Sequence, residues 1–172
     1  ETFGIPIYEA PGFEADDVLA TIVEKLAPTM PTGRQAEGGG NIAELKIIIV
    51  SGDLDSLALV RKGVDVCMMK KGIQETVFYD EKAVEERFGF SPQSLPDFKG
   101  LKGDPSDNIV GVKGIGEATA KLLIKSFGNL EKLFSVLKKD EEKLEAIGIK
   151  PRIIKLLLEN EEEAFFGKSL VE

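Results

Sequence analysis

Residues 103–116 constrain the fold more strongly than any other stretch, because they place acidic residues directly before a glycine-rich turn. Their first half, Gly103-Asp104-Pro105-Ser106-Asp107-Asn108, contains a proline and an asparagine that disfavour a regular helix, so it predicts a loop that carries two carboxylates. Their second half is a turn that leads into an apolar helical pattern over 117–127. Such a turn can bind phosphate through free backbone N–H groups. Acids beside a phosphate site favour a divalent cation between them, so further acids are expected elsewhere in the chain.

One further group of acids lies at the start of a predicted helix. Apolar residues recur with helical spacing over 15–26, and Glu14, Asp16 and Asp17 crowd the first turn of this helix. Acids at a helix start are also favoured by the helix dipole alone, so their position does not by itself indicate a metal. Both interpretations stay open for this segment taken alone.

The other group of acids follows a predicted strand. Residues 46–50 are rich in β-branched side chains, which predicts a strand buried on both faces of a parallel sheet. Asp53 and Asp55 come directly after it, and open α/β sheets bind their ligands at the carboxyl ends of their strands. An aspartate in this position can equally be the N-cap of a following helix.

Together these acids predict a divalent-metal site. The chain has no histidine and one cysteine, which excludes imidazole ligands and a cysteine-cluster zinc site. Oxygen ligands favour Mg²⁺ or Mn²⁺, and seven carboxylates are too many for one octahedral Mg²⁺ that keeps its waters. They suit two adjacent ions, which could activate a water and neutralise the leaving oxygen in phosphodiester cleavage. The predicted metal ligands are Glu14, Asp16, Asp17, Asp53, Asp55, Asp104 and Asp107, of which Asp53, Asp55, Asp104 and Asp107 are the predicted catalytic residues.

The glycine-rich turn has the spacing of a helix-hairpin-helix module, Gly114-Ile115-Gly116-x-x-x-Ala120. Its glycines allow the backbone to approach a phosphate, and the alanine permits close helix packing. The alternative is a tight turn between two core helices that binds no ligand. On the first interpretation, the residues that contact DNA are Gly111, Lys113, Gly114, Ile115, Gly116 and Lys121.

The net charge of −8 does not exclude DNA as the partner, because the charge is unevenly distributed. Residues 98–128 contain five lysines against three acids. The single cysteine leaves no disulfide framework and predicts a reducing cytoplasm, and no apolar run reaches the roughly 18 residues of a membrane span. Strands followed by helices predict a mostly parallel α/β core and an all-helical C-terminal region, with a glycine-rich loop at 28–41 to which we assign no role.

These motifs resemble those of the 5′ nuclease family, which includes the 5′–3′ exonuclease domain of bacterial DNA polymerase I and the flap endonucleases. The matching segments, in the same order, are Glu14-Ala15-Asp16-Asp17, Gly52-Asp53-Leu54-Asp55, residues 103–108 and residues 111–116. The resemblance implies a PIN-like fold, with residues 1–108 as part of the nuclease core and residues 109–172 as a helix-hairpin-helix (helix-three-turn-helix) DNA-binding region. It also implies two divalent ions, DNA with a 5′ flap or 5′ end as substrate, and action in replication and repair at the bacterial nucleoid. A further implication is a K⁺ ion bound by the backbone carbonyls of Ile109, Val112 and Ile115.

One departure from the family pattern concerns the N-terminal segment. The family begins with a strand that carries a metal-contacting aspartate, followed by an arch segment, and this sequence starts after both. We therefore expect an upstream segment, supplied in cis or in trans, and the resemblance also allows a fused polymerase. Without that segment a central strand would be missing and apolar surface would be exposed. We expect weak, salt-sensitive duplex binding and little cleavage from this chain alone.

Two other functions are compatible with the sequence. One is a helix-hairpin-helix module that binds duplex DNA without cutting it, and the other is a PIN-type ribonuclease. The helix-hairpin-helix turn favours duplex DNA over RNA as the ligand.

Overall fold

Two units make up the chain, Glu1–Glu81 and Lys82–Glu172, in the computed structural model, which describes residues 3–26, 46–70 and 75–171. The glycine-rich loop predicted at 28–41 lies outside the described residues. The boundary between the two units follows residue 81 in the sequence. The division predicted after residue 108 is a different one, because it separates a nuclease core from a DNA-binding region by function. That functional division stays a prediction.

A three-stranded sheet forms the centre of the first unit. Its strands are β1 (Ile47–Ser51), β2 (Val64–Met69) and β3 (Thr76–Tyr79), in the order β1-β2-β3. β1 pairs with β2 in parallel and β2 pairs with β3 antiparallel. The described sheet is therefore mixed rather than mostly parallel. The connection from β2 to β3 is too short for the crossover that a parallel pair requires, so the chain can only turn back.

One face of β1 is buried and the other is not, which corrects the prediction of a strand covered on both faces. Ile49 is 4% exposed, whereas Ile48 and Val50 are 50% and 60% exposed. Helix α1 (Ala15–Leu26) packs against a 3-10 turn, Leu54–Leu59, and buries Val23. Among the described residues, this packing leaves the second face of β1 uncovered because successive side chains of a strand point to opposite sides.

The regular elements of the second unit are all helices among its described residues, as predicted for the C-terminal region. Its packing follows from helical periodicity: Leu130, Leu133, Phe134 and Leu137 share one face of one helix and are all buried. None of the described helices is both long enough and apolar enough to cross a lipid bilayer. The helices are α2 (Glu81–Phe88), α3 (Leu95–Lys102), α4 (Glu117–Phe127), α5 (Leu130–Leu137), α6 (Glu142–Ala146), α7 (Pro151–Glu159) and α8 (Glu161–Ser169).

Helix α3 is held tightly by α8, which matters because α3 leads directly into the acidic loop. The two helices approach closely at Gly100 and Gly167: a Cβ on Gly100 would lie 2.5 Å from the carbonyl oxygen of Ala164. The buried carboxylate of Asp97 adds a polar contact, since it lies 2.8 Å from the Lys168 ammonium. Helix α3 is therefore fixed by backbone contact at Gly100 and by a buried ion pair in its first turn.

Candidate active-site acids and phosphate-binding turn

The loop after α3 presents two of the predicted acids. Gly103 ends the helix with a φ of 78°, and its N–H donates to the carbonyl of Lys99 at 2.7 Å. The Asp104 carboxylate then caps a short 3-10 turn, Pro105–Asp107, by accepting from the backbone N–H of Ser106 at 3.1 Å. Asn108 ends this turn in the left-handed region, at a φ of 57°. The proline and the asparagine thus produce the loop that the sequence predicts.

Asp104 and Asp107 come together in this loop, with one carboxylate oxygen of each within 4.8 Å of the other. The ammonium of Lys99 lies 2.8 Å from Asp104 Oδ2 and 3.4 Å from Asp107 Oδ2. The Lys99 side chain is only 11% exposed. Three residues of the second unit therefore form a compact charged cluster with a net negative charge.

The charge state of Asp104 suits cation binding. Burial would by itself raise the pKa of Asp104, but hydrogen bonds from Lys99 and Ser106 outweigh it and lower the pKa to about 2. The carboxylate is therefore ionised throughout the physiological pH range. Ionised carboxylate oxygens without nitrogen or sulfur donors are the ligands that hard divalent cations prefer.

Sequence reasoning assigned no role to Lys99. Its contact with the acids depends on the reversal of the chain at Gly103, which brings the loop back toward the last turn of α3. A lysine in the last turn of a helix is favoured by the helix dipole in any case, so its type and position gave no distinctive signal. Lys99 precedes Asp104 by five positions and Asp107 by eight. A comparison of sequences across the family could detect this spacing.

Backbone contacts join the acidic loop to the glycine turn. Asp104 and Ile109 exchange two backbone hydrogen bonds, each of 2.8 Å, and Val112 N–H donates to the Leu101 carbonyl at 2.9 Å. Gly103 and Gly111 lie face to face, so a Cβ on Gly111 would overlap the Gly103 backbone. The acids and the turn are therefore parts of one structure with a fixed separation.

The turn at 111–116 opens α4 as predicted. Gly114 has a φ of 98°, and a Cβ there would lie 3.0 Å from Leu156 Cδ1, so this glycine serves packing against α7. Gly116 is the N-cap of α4, and a Cβ there would meet no atom within 4 Å. Ala120 is fully buried and Ile115 is 4% exposed. Gly114 therefore fits the alternative of a tight turn packed between helices, whereas the space beside Gly116 is open to a ligand.

Two of the carbonyls predicted to bind K⁺ accept backbone hydrogen bonds. The carbonyl of Ile109 accepts from Asp104 N–H at 2.8 Å, and that of Val112 accepts from Ile115 N–H at 3.0 Å. A carbonyl oxygen has two lone pairs, so each of these retains one for a further interaction.

In the first unit, Asp53 and Asp55 lie directly after β1, at the carboxyl end of the strand, as predicted. The Asp53 carboxylate accepts from Asp55 N–H at 3.0 Å and is the N-cap of the 3-10 turn. Ser51 Oγ accepts from Asp53 N–H at 3.0 Å. The N-cap interpretation is therefore also correct for Asp53, and it is compatible with the remaining carboxylate oxygen binding a cation.

One of the acids at the start of α1, Asp17, has a capping role. The Asp17 carboxylate accepts from the backbone N–H of Glu14 at 2.9 Å, so it satisfies a donor at the start of the helix. Within the described residues, Glu14, Asp16 and Asp17 do not by themselves bring three ligand oxygens within 4.8 Å of one another. Their role as metal ligands stays a prediction.

Comparison with known proteins covers the whole chain. Residues 1–89 match the family described as 5′-3′ exonuclease, N-terminal resolvase-like domain, and residues 90–172 match 5′-3′ exonuclease, C-terminal SAM fold. DNA polymerase I of Mycobacterium bovis is 40% identical over 130 residues, which are 76% of this chain and 13% of the polymerase. The chain thus spans a small part of that relative's length.

Solved structures show the same fold. A T5 5′-exonuclease with bound divalent metal ions (zinc) is 23% identical and superposes with a TM-score of 0.75, over 99% of this chain and 54% of the exonuclease. A bacteriophage T5 flap endonuclease, in a pseudo-enzyme–product complex with DNA and metal ions, is 22% identical with a TM-score of 0.72 over 99% of this chain and 53% of that one. The two family domains together match residues 1–172, so this chain belongs to the 5′–3′ exonuclease family.

Proposed function

We propose that this chain is part of a metal-dependent, structure-specific 5′ nuclease, which hydrolyses phosphodiester bonds at the 5′ end or 5′ flap of DNA. The observation that carries the proposal is the backbone connection between the loop that bears Asp104 and Asp107 and a glycine turn at a helix start. Such a connection suits a protein that holds a nucleic-acid backbone close to the bond that it cuts. Membership of the 5′–3′ exonuclease family supports the same reaction.

Two divalent ions, Mg²⁺ or Mn²⁺, are the proposed cofactors. The donor set fits them, because Asp104 is ionised down to a pH of about 2 and binds a cation without first losing a proton. When bound, the ions supply an activated water and neutralise charge on the leaving oxygen. The Lys99 ammonium orients both carboxylates of its loop. The proposed ligands are Glu14, Asp16, Asp17, Asp53, Asp55, Asp104 and Asp107.

The turn at 111–116 is the proposed duplex-binding element. The open space beside Gly116 and the exposed side chain of Lys113 support contact with a phosphate. The free lone pairs of the Ile109 and Val112 carbonyls support K⁺ binding in the same turn. The T5 complex with DNA, which has this fold, supports DNA as the partner.

The setting of the protein is part of the proposal. We place it in the cytoplasm at the bacterial nucleoid, in replication and repair. We also propose that an upstream segment, in cis or in trans, completes the nuclease core. The match to a small part of DNA polymerase I supports a polymerase in the same polypeptide.

Cleavage of a 5′-flap duplex tests the proposed function. The natural full-length protein should release the flap in the presence of Mg²⁺ or Mn²⁺ and should stop when EDTA removes the ions. A 3′-flap duplex and a structured RNA of equal length are the matched substrates. Cleavage that survives EDTA would contradict the metal proposal, preference for the RNA would favour a ribonuclease, and duplex binding without cleavage would favour a binding module.

Replacing Gly116 by leucine should weaken duplex binding by about tenfold, or about 1.4 kcal/mol. The added side chain would meet no protein atom within 4 Å of its Cβ, and the φ of −92° suits any residue, so the fold should persist. The side chain would instead occupy the space assigned to a phosphate. Fluorescence anisotropy of a labelled duplex, in EDTA to prevent cleavage, measures the affinity.

Gly116→Ser is the matched control, because serine is small and is a favoured N-cap. It should bind duplex almost as the wild-type protein does. Thermal unfolding of both variants shows whether the helix start is intact. A leucine variant that binds duplex with wild-type affinity would remove the phosphate-binding role of the turn.

A further inference from the structure

An aromatic cluster lies where α2 and α3 approach the start of α4. The ring centroids of Phe88 and Phe98 are 6.3 Å apart in an edge-to-face arrangement, and Phe90 lies 5.3 Å from Phe98. Phe90 and Phe98 are buried, while Phe88 is partly exposed. The cluster therefore presents ring surface at the protein boundary, next to the helix that the glycine turn opens.

Three cations lie over these rings. Arg87 Cζ is 5.2 Å from the Phe88 centroid, and Lys121 Nζ is 5.5 Å from the same centroid. Lys102 Nζ is 5.6 Å from the Phe98 centroid. These distances are within the range in which a ring face attracts a cation, so each of the three cations has a favourable contact with the aromatic cluster.

Glu117 is the acid that these cations share. Its carboxylate lies 2.7 Å from Lys121 Nζ, one helical turn along α4. The pKa of Glu117 is lowered chiefly by the hydrogen bond from Lys121, with further contributions from the charges of Lys102 and Arg87. Glu117 therefore contacts Lys121 directly and lies close enough to Lys102 and Arg87 for their charges to act on it.

We propose that Arg87, Lys102 and Lys121 form a second phosphate-contact surface for duplex DNA, beside the turn at 111–116. The inference rests on the proposed function for the identity of the partner and adds two residues, Arg87 and Lys102, to its binding surface. The position of the surface supports this partner, since Lys121 lies on the second turn of the helix that Gly116 caps. Each DNA strand carries a phosphate about every 3.4 Å along the axis, so one strand can reach the turn and this surface together.

The ring faces give this surface a second property. A cation held over a ring is already partly desolvated and restricted, so less side-chain freedom is lost when it meets a phosphate. A phosphate can also replace the Glu117 carboxylate at Lys121, because both are anions that accept the same hydrogen bond. Glu117 therefore competes with DNA for this lysine.

Salt dependence of duplex binding tests the proposal. We measure the affinity of the full chain for a labelled duplex by anisotropy in EDTA, across a series of salt concentrations. Arg87→Gln and Lys102→Gln should each weaken binding severalfold and reduce the slope of log affinity against log salt by about 1. Glu117→Gln should act in the opposite direction and tighten binding. Lys143→Gln is the control, since Lys143 is an exposed lysine paired with Asp140 on another part of the unit.

The outcomes separate this proposal from the proposed function. Wild-type binding together with unchanged slopes in Arg87→Gln and Lys102→Gln would overturn the second surface and leave the nuclease proposal intact. If Arg87 and Lys102 served only in packing, their glutamine variants would have a lower unfolding temperature and an unchanged salt slope. Glu117→Gln would then give no gain in duplex affinity. Absence of duplex binding by the wild-type chain would overturn both proposals, and absence of metal-dependent cleavage with normal binding would overturn only the nuclease.

Discussion

Replacing Asp104 and Asp107 together by asparagine should slow 5′-flap cleavage by about a thousandfold, or about 4 kcal/mol of transition-state stabilisation. Asparagine keeps an oxygen that can accept from Ser106 N–H, so the 3-10 turn retains its cap. The substitution removes two negative charges, however, and those charges are what a divalent cation binds. Single-turnover cleavage by the natural full-length protein measures the effect on the chemical step.

A readout besides cleavage is needed because a slow variant can simply be misfolded. Titration with Mn²⁺, followed by electron paramagnetic resonance, should show weaker binding or loss of one ion in the double variant. Asp140→Asn is the matched control, since it removes an exposed acid of the same unit that pairs with Lys143. Wild-type cleavage and Mn²⁺ binding by the double variant would show that these two acids are not metal ligands.

Replacing Asp97 by alanine should have the largest effect on stability, a loss of about 3–5 kcal/mol in the free energy of unfolding. The Asp97 side chain is 5% exposed and accepts from Leu130 N–H at 2.9 Å, in addition to its ion pair with Lys168. Burial would lower the pKa of Lys168, but hydrogen bonds with Asp97 and Glu131 raise it instead. Without Asp97, a buried ammonium and a buried backbone donor would both lose a partner.

Urea denaturation of the single and paired variants measures this effect. Asp97→Ala with Lys168→Met should lose less than the sum of the two single substitutions, since it removes both charges of the pair. Lys138→Met is the control: it breaks a 2.7 Å pair with Glu161 whose side chains are 56% and 28% exposed, and it should cost less than about 1 kcal/mol. A loss below about 1 kcal/mol for Asp97→Ala would show that the buried pair does not hold α3.

Local sequence patterns predicted the helices well. The spacing of apolar residues predicts helices over 15–26 and 117–127, and the structure has α1 and α4 there. The acidic loop was also predictable, since Pro105 and Asn108 act within a few residues of their own positions. These features depend on residues that are close together in the sequence, so the sequence alone predicts them.

Features that depend on distant residues were harder to predict. The β-branched run of β1 suggests burial on both faces, yet the exposure of Ile48 and Val50 depends on what packs over the sheet. The role of Asp97 depends on residues 33 positions and more along the chain, where Leu130 and Lys168 lie. A buried aspartate next to a lysine from another helix leaves no local pattern, because charged residues on helices are usually solvated.

The candidate site also combines features that nearby residues determine with features that depend on the path of the chain. Asp53 and Asp104 were predicted as functional acids, and each also caps a short turn through its own side chain. A sequence cannot separate these two roles, because a carboxylate can use one oxygen for the backbone and the other for a ligand. Lys99 was missed because its role depends on the return of the chain after Gly103.

The position of Lys99 has a consequence for how the acidic loop responds when cations come and go. Two carboxylates with oxygens within 4.8 Å would repel each other if no positive charge lay near them. The ammonium of Lys99 offsets this repulsion through its contacts of 2.8 Å and 3.4 Å. The loop is therefore preorganised, and little of the binding free energy of an incoming cation is spent on ordering its ligands. A cation that bound Asp104 and Asp107 would therefore meet carboxylates that Lys99 already holds in place.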